Sequence, residues 1–73
     1  MPPSMPTLHD LLTPRECEVA ALIHSGFTNP EIARYLAIKI DTVKHHLIAI
    51  YDKLGCDNRV MLAVRYEREN GNK

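Results

Sequence analysis

Thr28-Asn29-Pro30-Glu31-Ile32-Ala33-Arg34-Tyr35-Leu36, then Ala37-Ile38-Lys39, then Ile40-Asp41-Thr42-Val43-Lys44-His45-His46-Leu47-Ile48-Ala49-Ile50-Tyr51-Asp52-Lys53-Leu54-Gly55 is the stretch whose pattern decides the fold. It opens on a helix start. Thr28 can cap, Pro30 fits the first turn, and Glu31 can return the cap's hydrogen bond three residues on. Ile32, Ala33 and Leu36 supply one apolar side, so a two-turn helix is predicted over 29–36. A break follows at 37–39. Beyond it Ile40, Val43, Leu47, Ile50 and Leu54 recur at spacings of 3, 4, 3 and 4, an amphipathic stripe. Gly55 suits the left-handed stop after a helix, which bounds this second helix at 40–54.

The same signals extend outward. Upstream, Thr13-Pro14-Arg15-Glu16 is another cap, first-position proline and returning carboxylate. Val19, Ala20, Leu22 and Ile23 follow on one side, and Gly26 ends a helix over about 14–24. Downstream, Asp57 or Asn58 can cap a last helix over 59–69. Its Leu62, Ala63 and Tyr66 share one side and leave Val60, Met61 and Val64 over for another. No alternating stretch or Asn-Gly hairpin signals a strand. The fold class is all-α: a compact four-helix domain over 12–69. Residues 1–11, with three prolines, read as a flexible leader or linker remnant, and 70–73 as a frayed tail.

The 73 residues suffice for one small domain, too small for a layered enzyme fold. No apolar run exceeds five residues, far below the ~20 that a membrane span needs, and the N-terminus lacks a signal peptide's regions. The expectation is a soluble, cytoplasmic chain. Nine basic and nine acidic residues cancel, which disfavours a non-specific polyanion binder. Their distribution is uneven: residues 1–31 sum to −3 (one base, four acids) and residues 32–66 to +3 (six bases, three acids). Cys17 and Cys56 form no CxxC pair, and no Cys/His spacing suits a metal. Cys17 with a histidine, or His45-His46 with a carboxylate, are the only candidates for catalysis. No motif orients them, so no enzyme, cofactor or metal site is expected.

A short helix, a three-residue break and a longer helix is the spacing of a helix-turn-helix, whose second helix enters the major groove of DNA. The particular residues carry more. Leu12-Thr13-Pro14-Arg15-Glu16-x-Glu18-Val19, Gly26, Thr28-Asn29-x-Glu31-Ile32-Ala33-x-x-Leu36, Thr42-Val43-Lys44-x-His46-Leu47-x-x-Ile50-x-x-Lys53-Leu54-Gly55 and Arg59 resemble the LuxR-type helix-turn-helix of bacterial transcription regulators, the domain of the NarL/FixJ response regulators and of GerE. The resemblance runs from Leu12 to Tyr66. It implies transcription regulation by sequence-specific binding to double-stranded DNA as a homodimer, with RNA polymerase as a further candidate partner. It implies neither a membrane nor a small-molecule ligand within this chain.

The base-reading positions of that family correspond to Lys44, His45 and Ile48. Their chemistry fits: Lys44 can donate to guanine N7 and O6, His45 to a base acceptor or a phosphate, and Ile48 can meet a thymine methyl. Thr28, Asn29 and Thr42 stand at helix N-termini, where capping and phosphate contact are compatible. Lys53 and Arg34 are expected on phosphate, and His46 as a half-buried structural histidine within reach of it. Arg59 reads as a structural group at the corner before the last helix. Val60, Met61 and Val64 are the expected dimer interface. Two departures stand out. The family usually has Gly where Ala37 stands, and Ser or Thr where Lys39 should cap the recognition helix. The competing readings are a protein-interaction module on the same fold and a sigma-factor-like promoter-binding fragment.

Overall fold

The computed structural model describes residues 7–70. Among them are five helices and no strand: α1 (Leu8–Leu11), α2 (Pro14–His24), α3 (Asn29–Leu36), α4 (Ile40–Leu54) and α5 (Arg59–Asn70). The fold class and the bounds expected for α2, α3 and α4 agree with the structure, and α5 runs one residue further.

Residues 7–11 need a correction. They are not leader but a capped turn of helix: the Thr7 side chain accepts from the Asp10 N–H, and Asp10 accepts in return from the Thr7 N–H. Leu8 and Leu12 are buried. The Leu8 N–H donates to Glu69 Oε1 on α5 at 2.9 Å, so a distant partner anchors what local composition reads as linker. Residues 1–6 and 71–73, also assigned to leader and tail, lie outside the described residues.

Local chemistry sets the helix ends. Thr7, Thr13 and Thr28 each form a complete capping box, with Asp10, Glu16 and Glu31 respectively. Asn58 caps α5 by accepting from the Met61 N–H at 3.0 Å. Three helices close in the same way, over a left-handed residue bridged by a backbone bond: Phe27 N–H to the Leu22 carbonyl over Gly26, Ile38 to Ala33 over Ala37, and Cys56 to Tyr51 over Gly55. This closure favours glycine at the left-handed position. Ala37 holds it at φ 58°, ψ 45°, where a Cβ crowds the following carbonyl.

Ala37→Gly is therefore expected to stabilise the domain by about 1 kcal/mol, relief of strain exceeding the extra entropy of glycine in the unfolded chain. Thermal melts should show the midpoint rising by about 4–8 °C. An unchanged or lower midpoint would mean that the turn is not strained at this residue.

Packing is organised around α2, which contacts α1, α4 and α5, while α3 packs on α4. One continuous core joins Leu8 and Leu12, Val19, Ala20 and Ile23 of α2, Ile32 and Ala33 of α3, Val43, Leu47, Ile50 and Leu54 of α4, and Leu62 of α5. The α4 stripe is inward as the periodicity predicts, except for its first member. Ile40 is 42% exposed. Periodicity assigns a side of the helix, not whether a neighbouring element reaches its open end.

Candidate nucleic-acid interface

The outer side of α4 is bare. Asp41, Lys44, His45, Ile48 and Asp52 are all exposed, opposite the buried Val43, Leu47, Ile50 and Leu54. The structure thus brings Lys44, His45 and Ile48 together on one surface. Ile40 and Asp41, which the sequence reading did not count among the reading residues, adjoin them at the open end of the helix. His46 is half-buried, and Thr42 is half-buried in the first turn.

Lys39, at the N-cap of α4, makes no side-chain capping bond, as its departure from the family pattern foretold. Asp41 stands in the first turn, where a carboxylate complements the helix dipole.

Two contacts hold α4 and α3 in place, and each uses a residue expected on the DNA backbone. Lys53 Nζ lies 2.6 Å from Glu16 Oε1, tying the last turn of α4 to the first turn of α2. Glu16 is buried, and the same oxygen accepts from the Thr13 N–H at 2.9 Å. Arg59, at the start of α5, donates to Asn29 Oδ1 at 2.8 Å and to the Phe27 carbonyl. This corner fork fastens α5 to the start of α3, the structural role the sequence assigned to Arg59. Lys53 and Asn29 are thereby occupied within the protein. Arg34 and Thr28 remain exposed on α3 and its cap, and Thr28 Oγ1 accepts from the Glu31 N–H. The sequence reading missed the Glu16–Lys53 pair. Glu16 had a local explanation as a capping-box residue, and the box and the ion pair use the same carboxylate.

Electrostatics reinforce the frame. Burial pushes the Glu16 carboxyl up, but the Lys53 ammonium and the Thr13 hydrogen bonds outweigh it and hold Glu16 below the usual carboxylate range. Glu69 is likewise raised by burial and brought below that range by Arg65, 2.7 Å away, and by the Leu8 N–H. Glu31 is lowered by the Thr28 backbone and hydroxyl. Because these values are depressed on folding, their stabilisation is complete above the unfolded value of about 4.3. It is lost as pH falls through the folded values. The melting midpoint should drop steeply below about pH 4.3, and Glu16→Gln should flatten part of that fall. A midpoint constant from about pH 6 to pH 3 would refute the assignment.

Elsewhere on the surface, Val60, Met61 and Val64 of α5 are 71%, 43% and 51% exposed. Leu62 is buried beneath them. Burial pushes the Cys17 thiol above its usual range, away from nucleophilic reactivity. Among the described residues no cluster of three or more His, Cys, Asp or Glu side chains is placed to hold a metal ion. No helix among them is long and apolar enough to cross a membrane.

A supporting helix, a turn closed over a left-handed residue, and a longer helix with its outer side bare define a helix-turn-helix domain. The chain belongs to the luxR family of bacterial regulatory proteins, whose model matches residues 10–66. Similar proteins include the probable transcriptional regulatory protein SgaR of Hyphomicrobium methylovorum and the transcriptional regulatory protein LiaR of Bacillus subtilis (strain 168). Each is 44% identical over 62 residues, covering 85% of this chain and 29% of the relative. The chain thus spans less than a third of the length of these curated relatives. Family membership places it among bacterial regulatory proteins.

Proposed function

We propose that this chain regulates transcription in the cytoplasm by binding double-stranded DNA, with α4 in the major groove and a second copy joined through α5. The observation that carries the reading is the bare outer side of α4, where Lys44, His45 and Ile48 face solvent on a helix held rigidly at its far end by Glu16. The helix in this position of a helix-turn-helix reaches base edges with its first half, and Lys44 and His45 lie there. Arg34 and Thr28 on the supporting helix are the phosphate contacts, and the relatives' names as transcriptional regulators support the role. The exposed valines and methionine of α5 fit an isologous, two-fold contact. The patch is below standard interface size, so the free domain dimerises weakly and DNA strengthens the pairing.

Affinity of the 73-residue chain for a selected duplex, measured across salt concentrations, tests this. With Lys53 held by Glu16, Arg34 is the cation left for phosphate and Lys44 adds a second positive charge in the groove, so log affinity should fall with log salt at a slope of about −1 to −2 per protomer. Val64→Asp should abolish cooperative occupation of a two-half-site duplex and leave the helical content intact. Absence of any salt-dependent shift would favour the protein-interaction reading. Unchanged cooperativity in Val64→Asp would remove α5 as the dimer contact.

A further inference from the structure

We propose that Ile40 joins Ile48 as a base-reading residue, the two flanking Lys44, so that the half-site bound by α4 carries a guanine with a thymine methyl on either side of it. The inference rests on the placement of α4 in the major groove given above.

Residues 40, 44 and 48 follow one another at four-residue steps, each turned about 40° further around α4, so the line runs from Ile40 at the open head of the buried stripe to Ile48 on the outer side. Ile40 is 42% and Ile48 64% exposed, whereas Ile23, Ile32 and Ile50 are buried in the core. Both exposed isoleucines are β-branched and therefore stiff, so each holds its methyl groups in one place against an incoming surface. In the major groove the apolar feature is the thymine C5-methyl, and between the two isoleucines Lys44 can reach guanine N7 and O6. The exposed carboxylates Asp41 and Asp52 border this line. They disfavour phosphate at this side of α4, and Asp41 can accept from cytosine N4. From Ile40 to Ile48 the helix rises about 12 Å, and a helix lying in the groove is inclined to the duplex axis, so this length covers at most about three base pairs at about 3.4 Å each. The two thymines should therefore stand within about three base pairs of each other, with the guanine between them.

The test begins with selection of bound duplexes by the 73-residue chain. Each thymine of the selected half-site is then replaced singly by deoxyuridine, which removes only the methyl. Affinities are measured for the unaltered chain, Ile40→Ala and Ile48→Ala, with thermal melts to confirm that both exposed-site variants fold. The expected result is two thymines whose methyl is worth about fourfold in affinity, the value of one buried methyl group. One of them should become silent in Ile40→Ala and the other in Ile48→Ala. Deoxyuridine without effect in the unaltered chain, or with equal effect in the variants, overturns the proposal while leaving the groove placement standing. Failure to select any duplex overturns the groove placement itself, and this assignment with it.

Discussion

Ile50→Ala should bring the domain close to unfolding. Ile50 is fully buried in the core shared by α2, α3, α4 and α5. Truncating a buried isoleucine to alanine loses transfer free energy and leaves a cavity, costing about 2–5 kcal/mol. At roughly 0.05–0.15 kcal/mol per residue, a chain of this length has only about 4–11 kcal/mol in total. The core is too small to share the loss among many other contacts. Urea denaturation followed by circular dichroism should show the midpoint falling sharply. Ile48→Ala, two positions away but on the exposed side, should shift it by no more than about 0.5 kcal/mol, the usual range for surface substitutions. Equal effects from the two would mean that α4 is rotated from the placement described here.

The two lysines of α4 should fail in opposite ways. Lys44 is exposed on the outer side, so Lys44→Ala should leave the melting midpoint alone. It should cost about 1–3 kcal/mol of binding and relax the preference at one base pair. Lys53 is engaged by buried Glu16 at 2.6 Å. Lys53→Met removes a charge-assisted bond and strands the carboxylate, for a stability loss of about 1–3 kcal/mol. Because Lys53 is partly exposed, solvent keeps that loss below the cost of breaking a fully buried pair. The slope of log affinity against log salt should be unchanged in Lys53→Met, since no phosphate contact is lost. Adding Glu16→Gln should recover part of the stability by removing the stranded charge. The measurements are melts and salt-dependent binding on the same proteins. A slope reduced by about 1 with an unaltered melt would assign Lys53 to a phosphate instead.

The contrast between these lysines shows how legible the candidate site was. Helical periodicity places Lys44, His45 and Ile48 off the buried stripe, as it does Asp52, and the resemblance to the family is what singles these three out as base-reading positions. Lys53 falls between the buried stripe and the outer side, and only its partner decides its role. That partner is 37 positions away, and no local pattern pairs the two. Asn29 is similar: a helix start suggests phosphate, while Arg59 from 30 positions downstream occupies its side-chain oxygen.

The sequence by itself determined the α2, α3 and α4 boundaries, the all-helical class and the inward stripe of α4. Each depends on a cap, a periodicity or a left-handed stop acting within about one turn of chain. Tertiary structure alone decided three things. It folded residues 7–11 into α1, because Leu8 reaches the core and its N–H meets Glu69 from 61 positions away. It turned Glu16 and Lys53 into a brace between α2 and the end of α4. It left Ile40 exposed at the head of an otherwise buried stripe, because burial depends on whether another element covers a residue, and that covering is a property of packing rather than of the helix's own period.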